Sequence, residues 1–330
     1  MADYKNIKGF NIQYIDSDPP NPIEGQMWFN STSQTLKGAE VGGAPVGTWA
    51  SGGDLNTARG DAGMSGVYNA AFIVGGNTPT LTANHEQYNG SSWTEVADLN
   101  TARYGNGATG TTSAGLTFAG YDISNVNVSV TESWNGSAWS EVNDMNTARH
   151  LLNGVGTSTA SLGFAGYIAS ATGSALNEQW NGTSWTEVND LNTARYGIGG
   201  CGITTAALAF GGFTTPAASA TTESWNGTTW TEVNDLNTAR RYMGSAGVQT
   251  SALAFGGFTT TPTAVTEFWN GTSWTEVNDL AAARTNMSGG GAGTATLALA
   301  AGGYPGSPPN TTSTEEWIVP DSVTKTFTTS

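Results

Sequence analysis

The chain has 330 residues, 45 of them glycine, with 12 tryptophans, one cysteine and a formal net charge of −15. An acidic surface repels phosphate backbones and anionic lipid, so nucleic acid and membranes are poor partners, and the charge is read first as a solubility device. The lone Cys201 rules out an internal disulfide, no run of apolar residues is long enough to cross a bilayer as a helix, and the opening MADYKNIKGFNIQYIDSDPP lacks a signal-peptide core.

Residues 1–44 do not repeat and are read as an N-terminal anchoring segment; 45–319 repeats, and 320–330 is a tail. The four lysines sit near the ends, at Lys5, Lys8, Lys37 and Lys325, and between them the cations are seven arginines. WTEVNDLNTAR is written unchanged at 185–195 and 230–240, with variants at 49–59, 93–103, 139–149 and 274–284. Its arginine recurs at 59, 103, 149, 195, 240 and 284, at intervals of 44 to 46. That period, with tryptophan and Gly-Gly marks, fits a four-stranded propeller blade.

In chain order each unit predicts four short strands. The first is rich in small residues, as in GDAGMSGV, YGNGATG, LLNGVGTS, YGIGGCGI, YMGSAGV and MSGGGAG. Crowding at a central axis is the expected reason for glycine there, despite its entropic cost. The second strand alternates small and large apolar residues and ends in a pair near Gly76, Gly120, Gly166, Gly212, Gly257 and Gly303. The third and fourth flank an Asn-Gly turn with aromatic residues on both sides. After Trp317 no fourth strand follows, and the missing one stands at GTWASGGDL, residues 47–55. The expectation is an all-β, six-bladed β-propeller of four-stranded blades, closed by an N-terminal strand that completes the C-terminal blade and so leaves no open edge.

Gly-Gly after the second strand, an aromatic residue in the third, tryptophan opening the fourth and then arginine resemble kelch-type repeats over roughly 45–319. The regular Thr/Ser/Asn-rich wording is similar to that of bacteriophage virion proteins. DPPNPIEGQMWFNSTSQTLKG (18–38) resembles a stretch near the start of phage fibre and tail-associated proteins. These resemblances imply a virion location, other virion proteins as partners of the N-terminal segment, and host attachment. Kelch-based copper oxidases carry His and Cys ligands that this chain lacks.

Recurrence assigns the scaffold. Arginine and the third-strand glutamates Glu86, Glu132, Glu178, Glu223, Glu267 and Glu315 both occur six times, which favours an Arg–Glu pair within each blade or across each junction. Asp54, Asp98, Asp144, Asp190, Asp235 and Asp279 are the rival partners, although aspartate before a turn more often bonds backbone. His85 and His150 fall in different repeats outside any metal-ligand cluster, and no GxSxG, Walker loop or HExxH occurs, so no cofactor, metal or catalytic residue is expected. Plentiful acidic residues keep a glycan-degrading enzyme as one alternative, beside a purely structural virion component.

Variation assigns the candidate binding surface. The loops between second and third strands differ from one another and open with Asn77, Tyr121, Tyr167, Phe213, Phe258 and Tyr304; these six and Asp122 are the candidate ligand-binding residues. Aromatic rings stack on sugar faces, and the acidic surface favours neutral or cationic glycans, or a protein, as the ligand. The other reading of the same aromatics is that they cover blade junctions while the loops drift. Antiparallel order puts these loops on one face and the two chain ends on the other.

Overall fold

The computed structural model describes residues 12–17, 27–39, 47–168, 172–287, 292–319 and 324–327. Residues 18–26 of the virion-like stretch, 169–171 of the third variable loop, 288–291 of the sixth small-residue strand, and 320–323 and 328–330 of the tail lie outside the described residues. The chain divides into two units, Gly47–Ile318 and the two ends taken together, Met1–Val46 with Val319–Ser330. In the end unit, Gln13–Ile15 runs parallel to Met27–Asn30, which pairs antiparallel with Thr35–Ala39. Thr35–Ala39 pairs in turn with Thr324–Phe327, so the N-terminal and C-terminal segments share one sheet.

Every element among the described residues is a strand. The repeats fold into successive antiparallel sheets, here numbered I to VI, in a propeller-like array. Sheet IV is representative: Gly199–Ile203, Ala206–Phe210, Thr222–Trp225 and Trp230–Val233 lie in that order. Sheet II carries an extra short strand, Arg103–Tyr104, and its second and third strands run on as one long hairpin, Ala114–Asp122 with Asn127–Trp134. Sheet VI is Ala292–Gly293, Leu297–Ala301 and Thr314–Ile318 completed by Thr48–Ser51, with Trp49 opposite Trp317 and Thr48 opposite Ile318. The innermost strands touch in order from I to VI, and those of VI and I also touch.

The recurring eleven residues account for how one sheet joins the next. The tryptophan packs on an aromatic ring of the neighbouring sheet, as in Phe118–Trp185 at 4.7 Å and Phe210–Trp274 at 4.9 Å. Burying a ring of that size contributes about 4–6 kcal/mol of gross transfer free energy. In four cases its indole N–H donates to the residue just before the recurring glutamate of a neighbouring third strand: Trp185 to Thr131, Trp274 to Thr222, Trp49 to Thr266 and Trp93 to Thr314. In sheet I that position holds His85, whose Nδ1 accepts from Trp139 at 3.0 Å. Burial lowers the His85 pKa to about 4, which keeps the ring a neutral acceptor. The aspartate accepts the backbone N–H of the residue at that same position in its own sheet, as Asp144 does from Thr131. It is a backbone cap and leaves the arginine to another partner.

That partner is the glutamate. Each recurring arginine lies on the link into a sheet and meets the third-strand Glu of that sheet, and all six pairs are buried. Arg103 Nη1 stands 2.6 Å from Glu132 Oε1, and Arg195 Nη2 stands 2.9 Å from Glu223 Oε1. The other glutamate oxygen accepts the N–H and side-chain amide of the motif asparagine, as with Asn192 on Glu223 at 2.7 and 2.9 Å. Burial pushes the Arg195 and Arg240 pKa values down to about 10 against the opposing pull of their glutamates. In sheet VI, Ala281 replaces the asparagine and only its N–H reaches Glu315.

The inner-strand glycines have more than one cause. Gly66, Gly110, Gly156, Gly202, Gly247 and Gly293 have left-handed backbone where a Cβ would meet the backbone of the facing strand. A Cβ on Gly63 would meet Asn106 and Ala108 at the next inner strand, and others answer to the second-strand phenylalanines. A Cβ on Gly107 would stand 2.5 Å from a ring carbon of Phe118, and one on Gly200 would stand 2.6 Å from Phe164. The space between the innermost strands holds a cavity of about 140 Å³, lined by residues of all six, Cys201 among them.

Candidate functional site

The link after each recurring arginine builds the face of the sheet array that holds the variable loops. The second residue after the arginine is Asp61, Gly105, Leu151, Gly197, Tyr242 or Asn286, and all six have left-handed backbone with φ between 53 and 65°. This conformation suits glycine, asparagine and aspartate but costs about 1–2 kcal/mol for Leu151 and Tyr242. It aims each N–H at the carbonyl of its neighbour. Asp61 donates to Asn286, Gly105 to Asp61, Leu151 to Gly105, Gly197 to Leu151 and Tyr242 to Gly197, at 2.6 to 2.8 Å. The result is a head-to-tail belt that links sheet to sheet.

The residue between arginine and belt bridges to the residue that opens the variable loop. The couples are Gly60 with Asn77, Tyr104 with Tyr121, His150 with Tyr167, Tyr196 with Phe213, Arg241 with Phe258 and Thr285 with Tyr304. Two of the loops thus start as short ladders, Tyr167–Ile168 with Thr172–Gly173 and Phe213–Thr214 with Ala217–Ala218. The rings form an arc. Tyr121 lies 5.0 Å from His150, His150 5.2 Å from Tyr167, Tyr167 5.1 Å from Tyr196, and Tyr196 5.3 Å from Phe213. His150 Nδ1 meets Asn127 Oδ1 at 2.7 Å, and burial lowers its pKa to about 4. Asp122 uses its carboxylate on its own turn, accepting from the N–H groups of Ser124 and Val126.

At the end of this arc the rings give way to a pocket of about 550 Å³ between the loops of sheets V, VI and I. Three candidate residues from the sequence line it, Asn77, Phe258 and Tyr304, while Tyr121, Asp122, Tyr167 and Phe213 do not. Its other polar residues are Thr78 and Asn310 of the variable loops and, after the recurring arginines, Asp61, Arg241, Tyr242, Thr285 and Asn286. Asp61 Oδ2 accepts from Asn286 at 2.8 Å, and burial raises its pKa to about 6 against that bond. Burial also raises the Tyr242 phenol, with Tyr196 and Asp61 adding to the effect.

Two pocket groups are unsatisfied. Thr285 is 2% exposed, and its Oγ1 is buried without a hydrogen-bond partner among the described residues. Arg241 is the seventh arginine, the one outside the Arg–Glu pairs. Its guanidinium carbon lies 4.2 Å from the centre of the Phe213 ring and 5.2 Å from those of Tyr242 and Phe258, and its Nε is buried without a partner. Cation–π contact uses the faces of the guanidinium and leaves its N–H edges unused. Each residue was individually visible in the sequence. Arg241 was missed, and the signal that could have found it is the doublet Arg240–Arg241, of which Arg240 alone keeps the repeat spacing. The chain matches no known family model, and no curated protein matches it.

Proposed function

We propose that the repeat unit is a closed, six-bladed, kelch-like propeller that serves as a non-enzymatic attachment module, with the pocket between sheets V, VI and I as its ligand site. Closure is supported by the contact of the innermost strands of sheets VI and I, by the Trp93–Thr314 bond between those sheets, and by the completion of sheet VI with Thr48–Ser51. The Asp61–Asn286 link of the belt falls at the same junction.

The observation that carries the functional reading is a pocket of about 550 Å³ among the variable loops whose one cation among the described lining residues, Arg241, forms no ion pair there, whereas each recurring arginine is held by a glutamate. Aromatic walls from Phe258 and Tyr304 and amides from Asn77 and Asn310 suit a sugar, with its apolar ring face and its hydroxyls. Asp61 is the one carboxylate among the described lining residues, and glycoside hydrolysis ordinarily uses two, which favours binding over cleavage. The setting follows the resemblance: a phage virion surface, with the end segments held by other virion proteins and the loop face turned to a host-surface glycan.

A purely structural role is the second reading. It is favoured by Tyr121, Tyr167 and Phe213, whose rings stack on neighbours within the frame. A glycan array probed with the full chain and with its Tyr304→Ala variant separates the two. Binding that weakens in the variant supports attachment. An unreactive, folded chain supports the structural role, protein capture in place of glycan reassigns the ligand, and release of reducing ends identifies an enzyme.

A further inference from the structure

The proposed attachment site leaves the kind of sugar open, and resting on that reading we infer that the pocket selects a monocarboxylated sugar residue, its carboxylate held by the N–H edge of Arg241 and its ring set against Phe258 and Tyr304. The argument starts from Arg241. A guanidinium stacked among three rings has given up much of its hydration, and no carboxylate of the chain forms an ion pair with it among the described residues. The fork of N–H groups matches a carboxylate in geometry as well as charge.

Asp61 narrows the choice of anion. It lines the same pocket, tied to Asn286, and Arg241 is the only cation among the described lining residues. The single arginine can pair with one added negative charge, and the neighbouring Asp61 carboxylate disfavours any more. A phosphate monoester brings close to two, and nothing in the lining offsets the second. The second oxygen of Asp61 and the side-chain amide of Asn77 then remain for ring hydroxyls. The net charge of −15 does not oppose this selection at contact range, because screening confines distant surface charge to about 8 Å at physiological salt.

The test is a ligand-observed NMR titration of the full chain with a glucuronic-acid-containing disaccharide, its uncharged glucose counterpart, its sulfated counterpart and a dipeptide with a free C-terminus. The acid is expected to bind about tenfold tighter than the neutral sugar, the usual scale of one charge-assisted contact. Arg241→Gln is expected to bring the acid-to-neutral affinity ratio, read within the variant, close to one, and Arg241→Lys keeps part of it. Equal affinity for acid and neutral sugar, a preference that survives Arg241→Gln, or a preference for the sulfated sugar or the dipeptide overturns the inference. If the neutral sugar binds and Tyr304→Ala weakens it while the acid has no advantage, the inference fails and the attachment reading stands. If no saccharide binds, both fail.

Discussion

Replacing Arg195 by Leu tests whether the recurring Arg–Glu pair holds the frame. The substitution removes the 2.9 Å contact with Glu223 and the donations of Nη1 to the carbonyls of Thr221 and Gly211. Glu223 then stays buried and charged with three donors left, the N–H and side-chain amide of Asn192 and the N–H of Thr193. Breaking a buried pair costs about 3–5 kcal/mol, and the surviving donors place this case near the lower end, at about 3 kcal/mol. For a domain of this size that lowers Tm by roughly 6–12 °C. Denaturant melts followed by tryptophan fluorescence measure it directly. The double variant Arg195→Leu/Glu223→Gln, in which no charge is stranded, is expected to be more stable than Arg195→Leu alone by about 1 kcal/mol or more. A single-variant loss below about 0.5 kcal/mol, the scale of an exposed pair, refutes the reasoning.

Removing residues 1–55 deletes the fourth strand of sheet VI and bares the edge of Thr314–Ile318, so that chain is expected to aggregate, whereas removal of 1–40 leaves the melt of the sheet array unchanged; matching melts sink the closure model. His85 has a folded pKa of about 4 against an ordinary 6.5, so the unfolded chain takes up its proton first and stability falls as pH drops from about 6.5 towards 4. His85→Thr, the residue at the equivalent position in sheets II, IV, V and VI, should flatten that fall in urea melts, while Asp61, pulling the opposite way between about 6 and 3.8, acts alike in both proteins. An identical pH slope in the two proteins would falsify the assignment. Gly200→Ala sets a methyl 2.6 Å from the Phe164 ring and should cost about 1–3 kcal/mol, and Gly200→Ala/Phe164→Leu should recover part of it; a neutral Gly200→Ala returns this glycine to some other cause.

The frame was legible because its chemistry is repeated. Arg and Glu each recur six times, and the structure joins them one to one, while the missing fourth strand after Trp317 pointed to Thr48–Ser51. The pocket was legible only in part. Tyr304 and Phe258 were found because variable loops open with aromatic residues, but the same rule selected Tyr121, Tyr167 and Phe213, which stack within the frame. Asp61, Tyr242 and Asn286 share a position whose common property is backbone conformation, so their side chains show no pattern to read. The pocket also joins loops far apart in the chain, which no local periodicity reports.

The pairing of Thr48 with Ile318 governs how the sheet array bears load. The chain leaves the array at these two residues, which are direct partners at one end of a four-residue ladder. A force that separates the exits therefore peels this ladder one bond at a time, the weakest way to load a pair of strands. Beyond the exits the chain is stapled again, from Leu36–Phe327 to Ala39–Thr324. Tension applied from the two termini meets that staple first and reaches sheet VI only after it opens. A chain pulled from both sides of this sheet would thus open a clasp made of its own end segments before the array itself yields.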